Sequence, residues 1–240
     1  MTDPPAHDSE DLDALVRRVD PDRWLSSRFI GDPERRADVV ALYAYDHELA
    51  RAPKVASNSL LGEIRLTWWR EALDEIFEGG AVRRHPTAQA LAGVVARRAL
   101  PREPLEEMID ARYRELDPEA LTYEDAKSWA FATGGVCSRM VATILDPARD
   151  KTFADDWGAI WSLALRLKTG NIARDERAKV LAEVRLSLGE ARSVERRQIS
   201  IEAFPAVAHV TFADAYARGR DLSNLGKRLR IFLAVARGRI

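Results

Sequence analysis

Three observations predict an all-α domain. Apolar residues recur at three- and four-residue spacing through almost the whole chain. Prolines and paired glycines fall where such stretches would begin or end. The period-two alternation of a strand is almost absent, with residues 198–203 the one short candidate. At 240 residues the chain is long enough for one large core. No internal repeat and no Gly/Ser linker divides it. The expected organisation is an acidic, disordered tail over residues 1–20 followed by a single helical bundle over residues 21–240.

The tail expectation rests on residues 1–13, which hold five acids, two prolines and no Lys or Arg. Pro33 then sits at a helix start with Asp32 as its N-cap. That helix places Val39, Val40, Tyr43 and Leu49 towards one side, and Pro53 ends or kinks it. The next helix carries Leu61, Ile64, Trp68, Ala72 and Ile76 as its buried stripe and stops at Gly79-Gly80. Pro86 opens a helix bearing Leu91, Val94 and Val95, and a further stripe runs through Leu105, Met108, Ile109 and Leu116. Thr122 with Asp125 is a variant capping box opening a helix to about Leu145, with Gly134-Gly135 inside it. Helical patterns follow over 157–167 and 180–188 and after Pro205. Leu222, Leu225, Leu229, Phe232 and Leu233 line the last helix as a core face with a basic edge.

Composition excludes several classes. A net charge of −1 gives no global field for nucleic acid. The lone cysteine, Cys137, rules out a disulfide framework and is read as a small buried filler. The four histidines show no zinc spacing. No apolar run reaches the roughly 20 residues of a spanning helix, and no secretory signal is expected. A cytoplasmic protein is expected, with peripheral contact at the inner membrane face. Such contact would come through the stretch from Arg218 to Ile240, which has seven basic residues and one acid.

The stretch from Arg35 to Ala50, RRADVVALYAYDHELA, and the following LGEIRLTWWREAL from Leu61 to Leu73 resemble the opening helices of squalene/phytoene synthases. His85-Pro86, Ile109 to Asp117 and Phe131 to Val136 resemble later family segments. The resemblance implies the isoprenoid (terpenoid) synthase fold. It also implies an enzyme that joins two isoprenoid diphosphates through Mg²⁺ held by two aspartate-rich helix faces. Mg²⁺ takes carboxylate oxygens, and two Asp at i and i+4 share a helical face.

Neither acidic face is intact. Counted from Tyr45, the first pair falls on Ala50 and Lys54, a methyl and a cation. Asp46 and Glu48 are acidic neighbours two residues apart, which points them to different sides; Asp46 shares a face with Ala50. The second segment is echoed by Asn171-Ile-Ala-Arg174-Asp175, but its last acid position is Lys179. Alternatively, Asn171 caps one helix while Asp175 and Glu176 begin the next. Asp46, Glu48 and Asp175 are therefore the candidate catalytic acids, and no metal site is assigned. Tyr43, Arg65, Trp68 and Gly134 are candidates for lining a prenyl cavity or meeting a diphosphate, with packing as the ordinary alternative for Trp68.

The motif pattern resembles the family branch that includes a mitochondrial respiratory complex I assembly factor. This implies a non-catalytic protein that assists assembly of a membrane enzyme or binds an isoprenoid or lipid, with no cofactor. The alternatives are a carrier, and an active Mg²⁺-dependent prenyl transferase.

Overall fold

The computed structural model describes residues 11–54, 58–148, 152–194 and 199–240. Twelve α-helices are described: α1 (Leu12–Val19), α2 (Pro21–Ser27), α3 (Pro33–Arg51), α4 (Ser59–Phe77), α5 (Pro86–Arg98), α6 (Arg102–Tyr113), α7 (Tyr123–Ala130), α8 (Val136–Leu145), α9 (Thr152–Thr169), α10 (Arg177–Val194), α11 (Ala213–Ala217) and α12 (Asn224–Arg237). Among the described residues there is no strand, only a bridge between Leu121 and Ile172. The all-α expectation holds, and the reason is visible in the caps. Asp32 accepts from Glu34 and Arg35 N–H at 2.9 and 3.3 Å, with Pro33 in the first turn. Thr122 and Asp125 form the reciprocal capping box that starts α7. Gly79, at φ +75°, lies just past the end of α4.

Two helices form the middle of the bundle. The centre of α3 is buried from Asp38 to Asp46, and Tyr45 hydroxyl donates to the Leu105 carbonyl of α6 at 2.9 Å. α9 lies against α7, α8, α10 and α11 and buries Trp157, Ile160, Trp161, Leu163 and Leu167. Between α7 and α8 the helix makes one π-turn, Phe131–Gly135. There α9 comes so close that a Cβ on Gly134 would strike Ser162 Oγ and lie 2.6 Å from the Gly158 carbonyl oxygen. The small residues of this stretch are therefore required by backbone approach.

Four expectations are corrected. The expected tail does not reach residue 20: residues 12–19 are helix, with Leu15 and Val16 buried. Its acids have structural work, since Asp11 caps α1 and Asp13 accepts from Trp24 Nε1 at 3.0 Å. Residues 1–10 lie outside the described residues. On α4 the buried face is Gly62, Leu66, Trp69, Ala72 and Leu73, so Leu61 and Ile64 are exposed and Trp68 is half-buried. Residues 201–203 form a turn rather than a strand, and Gln198 lies outside the described residues. The stripe on α12 faces outward: Leu225, Leu229 and Phe232 are exposed, while Ile231 and Ala234 pack inward.

Candidate functional site

α2, α3, α6, α7 and α9 surround a cavity of about 490 Å³. Its wall carries an unbroken chain of alternating charges. Asp20 pairs with Arg23 (2.6 Å), and Arg23 with Asp46 (2.7 Å). Arg112 bridges Asp46 (2.6 Å) and Glu115 (2.7 Å), and Arg166 closes on the other Glu115 oxygen at 2.6 Å. Trp129 donates its indole N–H to Glu115 at 3.0 Å and stacks under the Arg166 guanidinium, 3.9 Å from the ring centre. Burial alone would push Asp46 up, but Arg23 and Arg112 hold it down at about 2. Glu115 is likewise held at about 2, by Arg112 and Arg166 against its burial. Three carboxylates and three guanidiniums balance along this chain of charges, and a fourth wall carboxylate, Asp22, pairs with Lys227 of α12 at 2.7 Å. Lys54, whose pKa burial lowers, adds a further cation at the cavity wall.

This donor set does not fit a Mg²⁺ cluster. Both Asp46 oxygens already accept charge-assisted hydrogen bonds, one from Arg23 and one from Arg112. Ala50 and Lys54 also line the cavity and offer no oxygen ligand. Among the described residues, no three His, Cys, Asp or Glu side chains are grouped to hold a metal.

The structure separates the remaining candidates. Gly134 lines the cavity. Tyr43 is buried behind it, with the Arg23 guanidinium 5.2 Å from its ring centre and its pKa raised by burial. Glu48, Arg65 and Trp68 line a different, shallower pocket of about 270 Å³, shared with Arg51, Trp69 and His85. Glu48 pairs there with Arg51 at 3.5 Å. Asp175 is exposed and absent from the cavity wall. The cause is a break in the helix: Gly170 (φ +97°) and Asn171 (φ +64°) end α9, and Ala173 N–H then binds the Leu121 carbonyl at 2.9 Å. Lys179 is exposed and pairs with Glu176 at 2.8 Å. Cys137 is buried, which pushes its thiol up to about 12, consistent with a filler.

Arg23, Glu115, Trp129 and Arg166 were not singled out from the sequence. A signal existed: Arg112 falls on the Leu105, Met108, Ile109 stripe, and Arg166 sits between Leu165 and Leu167. A guanidinium on a buried stripe requires buried acids.

Comparison with known proteins agrees with this architecture. The NADH dehydrogenase (ubiquinone) complex I assembly factor 6 of Bos taurus is 30% identical over 106 residues, and that of Homo sapiens 29%. In each case the match spans 44% of this chain and 31% of the relative, so less than a third of those proteins is represented. A dehydrosqualene synthase crystallised with a ligand superposes with a TM-score of 0.79 over 96% of both chains at 12% identity. The squalene synthase HpnC from Alicyclobacillus acidocaldarius gives 0.65 at 18% identity, over 96% of this chain and 94% of its own. These likenesses establish the terpenoid synthase fold. With the squalene/phytoene synthase family model matching residues 16–188, the chain belongs to the squalene/phytoene synthase family.

Proposed function

We propose that this chain is a binding member of its family that has lost prenyl transfer. It holds an isoprenoid-class ligand with an anionic head in the cavity and serves in the assembly of a respiratory membrane enzyme. The observation that carries the reading is the Asp46 carboxylate, clamped by Arg23 and Arg112 where a metal-holding face would need free oxygens. An anionic head would meet Lys54, a cavity-wall cation that no salt bridge ties to a carboxylate among the described residues. The assembly role rests on the sequence likeness to complex I assembly factor 6. The alternative, an active Mg²⁺-dependent prenyl transferase, is favoured by one feature: Asp20, Asp46 and Glu115 all remain in or at the cavity wall.

Release of inorganic diphosphate from farnesyl and geranylgeranyl diphosphate, with and without Mg²⁺, separates the two. The expected result is no release above background, with farnesyl diphosphate still bound in the presence of a chelator. Lys54→Ala should weaken that binding about tenfold. Mg²⁺-dependent release that disappears in Asp46→Asn would establish the transferase instead. Deleting the gene should reduce assembled complex I on native gels, and an unchanged level would remove the assembly role.

A further inference from the structure

α12 is held from one side only. Lys227 reaches Asp22 at 2.7 Å, and Ile231 and Ala234 pack inward. On the opposite side Leu225, Leu229 and Phe232 are exposed by 77%, 57% and 58%. Their spacing of four and three residues puts them in one row, which Ala236 extends by another turn. The row is about 16 Å long. Bulky apolar side chains so exposed on consecutive turns form a patch that calls for a covering surface.

The charges around the row say what kind of surface. Arg228 flanks the row, while Arg230 and Arg237 lie about a third of a turn from it on the other side, nearer the inward face; all three are exposed. Among the described residues no carboxylate pairs with any of these three, nor with Arg239. The only acid from residue 218 to 240 is Asp221, and it is tied to Lys168 at 2.5 Å. Arg230, Arg237 and Arg239 also surround a recess of about 430 Å³ on the inward flank of α12, with Thr211 and Ala234 on its wall. Guanidiniums pair with phosphate through two parallel hydrogen bonds.

We propose that α12 is the surface by which this protein lies on an anionic phospholipid membrane. Leu225, Leu229 and Phe232 enter the acyl boundary, and Arg228 beside them and Arg230 and Arg237 farther round the helix meet lipid phosphates at headgroup level. The arrangement favours a membrane over an acidic protein because the apolar row runs the length of one helix with cations to either side of it and no acidic side chain within the helix. No helix among the described residues is long and apolar enough to cross a membrane, so this contact is interfacial. The observations behind it lie on α12 and not in the cavity.

Co-sedimentation with vesicles tests it, using phosphatidylcholine alone and phosphatidylcholine mixed with phosphatidylglycerol. The full chain should sediment with the mixed vesicles only, and salt should weaken the binding. Leu229→Glu/Phe232→Glu should abolish it; both residues are exposed, and circular dichroism checks that the fold is kept. Arg228→Gln and Arg237→Gln should each weaken binding about fivefold. Lys54→Ala should bind vesicles like the parent, which keeps this test apart from that of the cavity. Equal binding to both vesicle types, binding to neither, or unchanged binding in the variants would overturn the proposal. So would a dimer, seen by sedimentation, that dissociates in Leu229→Glu/Phe232→Glu without any vesicle binding, since a second copy would then be what covers the row.

Discussion

α3 runs unbroken past Asp46 and Ala50, so both residues stay on the cavity wall; α9 stops at Gly170 and Asn171, and Asp175 is carried out to solvent. At the first segment the helix is intact, and Ala50 and Lys54 stand on the cavity wall without a carboxylate. At the second the backbone turns away from the cavity. The surviving carboxylates have correspondingly different work. Asp46 is a counter-ion to two buried guanidiniums, while Asp175 is a solvated acid ahead of α10.

The largest expected difference lies in stability. Asp46→Ala leaves Arg23 and Arg112 buried without their shared partner and should cost about 3–5 kcal/mol in urea unfolding. A loss under about 1 kcal/mol would mean that water replaces the carboxylate and that the network is not dry.

Acidification should come next. Asp46 and Glu115 titrate at about 2 in the fold, against ordinary values of 3.8 and 4.5. The unfolded chain therefore binds their protons first. Their stabilisation is complete above pH 4.5 and is lost as pH falls towards 2, on the order of a few kcal/mol. His209 has the same sign at higher pH. Burial lowers its pKa well below 6.5, so protonation of the unfolded chain begins to cost stability as pH falls below 6.5. Unfolding midpoints measured against pH should show both phases, and His209→Gln should remove the upper one.

Gly134→Ala tests the cavity wall itself, where a Cβ meets Ser162 and the Gly158 carbonyl. A loss of about 1–3 kcal/mol is expected from thermal unfolding. On the other acid segment, Asp175→Ala should change stability by no more than about 0.5 kcal/mol. The smallest expected effect is on turnover. Restoring acids with Ala50→Asp/Lys54→Asp should create no Mg²⁺-dependent diphosphate release, because the second face still lies off the cavity. Release in that variant would show that one acidic face is enough.

The helices were legible because periodicity and punctuation act locally. Pro33, the Thr122–Asp125 box and Gly79 each mark a boundary that the fold uses. The direction each helix faces was less legible. On α4, Trp68 and Trp69 are both large and apolar, and only the tertiary fit with Tyr45 and His85 buries Trp69. On α12 the apolar row read as core because a sequence records amphipathicity and not which side finds a partner. That Ala50 and Lys54 carry no carboxylate was plain from spacing. The arginine chain that neutralises Asp46 was not, since its members come from α2, α6 and α9 and meet only when the bundle closes.

Asp22 belongs to two places at once. It lines the cavity, accepts from the Tyr216 hydroxyl at 2.6 Å, and anchors Lys227 of α12. A ligand that engaged this carboxylate would act on the seating of the outer helix, and a surface that drew on the helix would act on the carboxylate. Thermodynamic linkage makes those two influences equal in free energy. One salt bridge thereby gives the interior and the exterior of this protein a common currency, readable from either side.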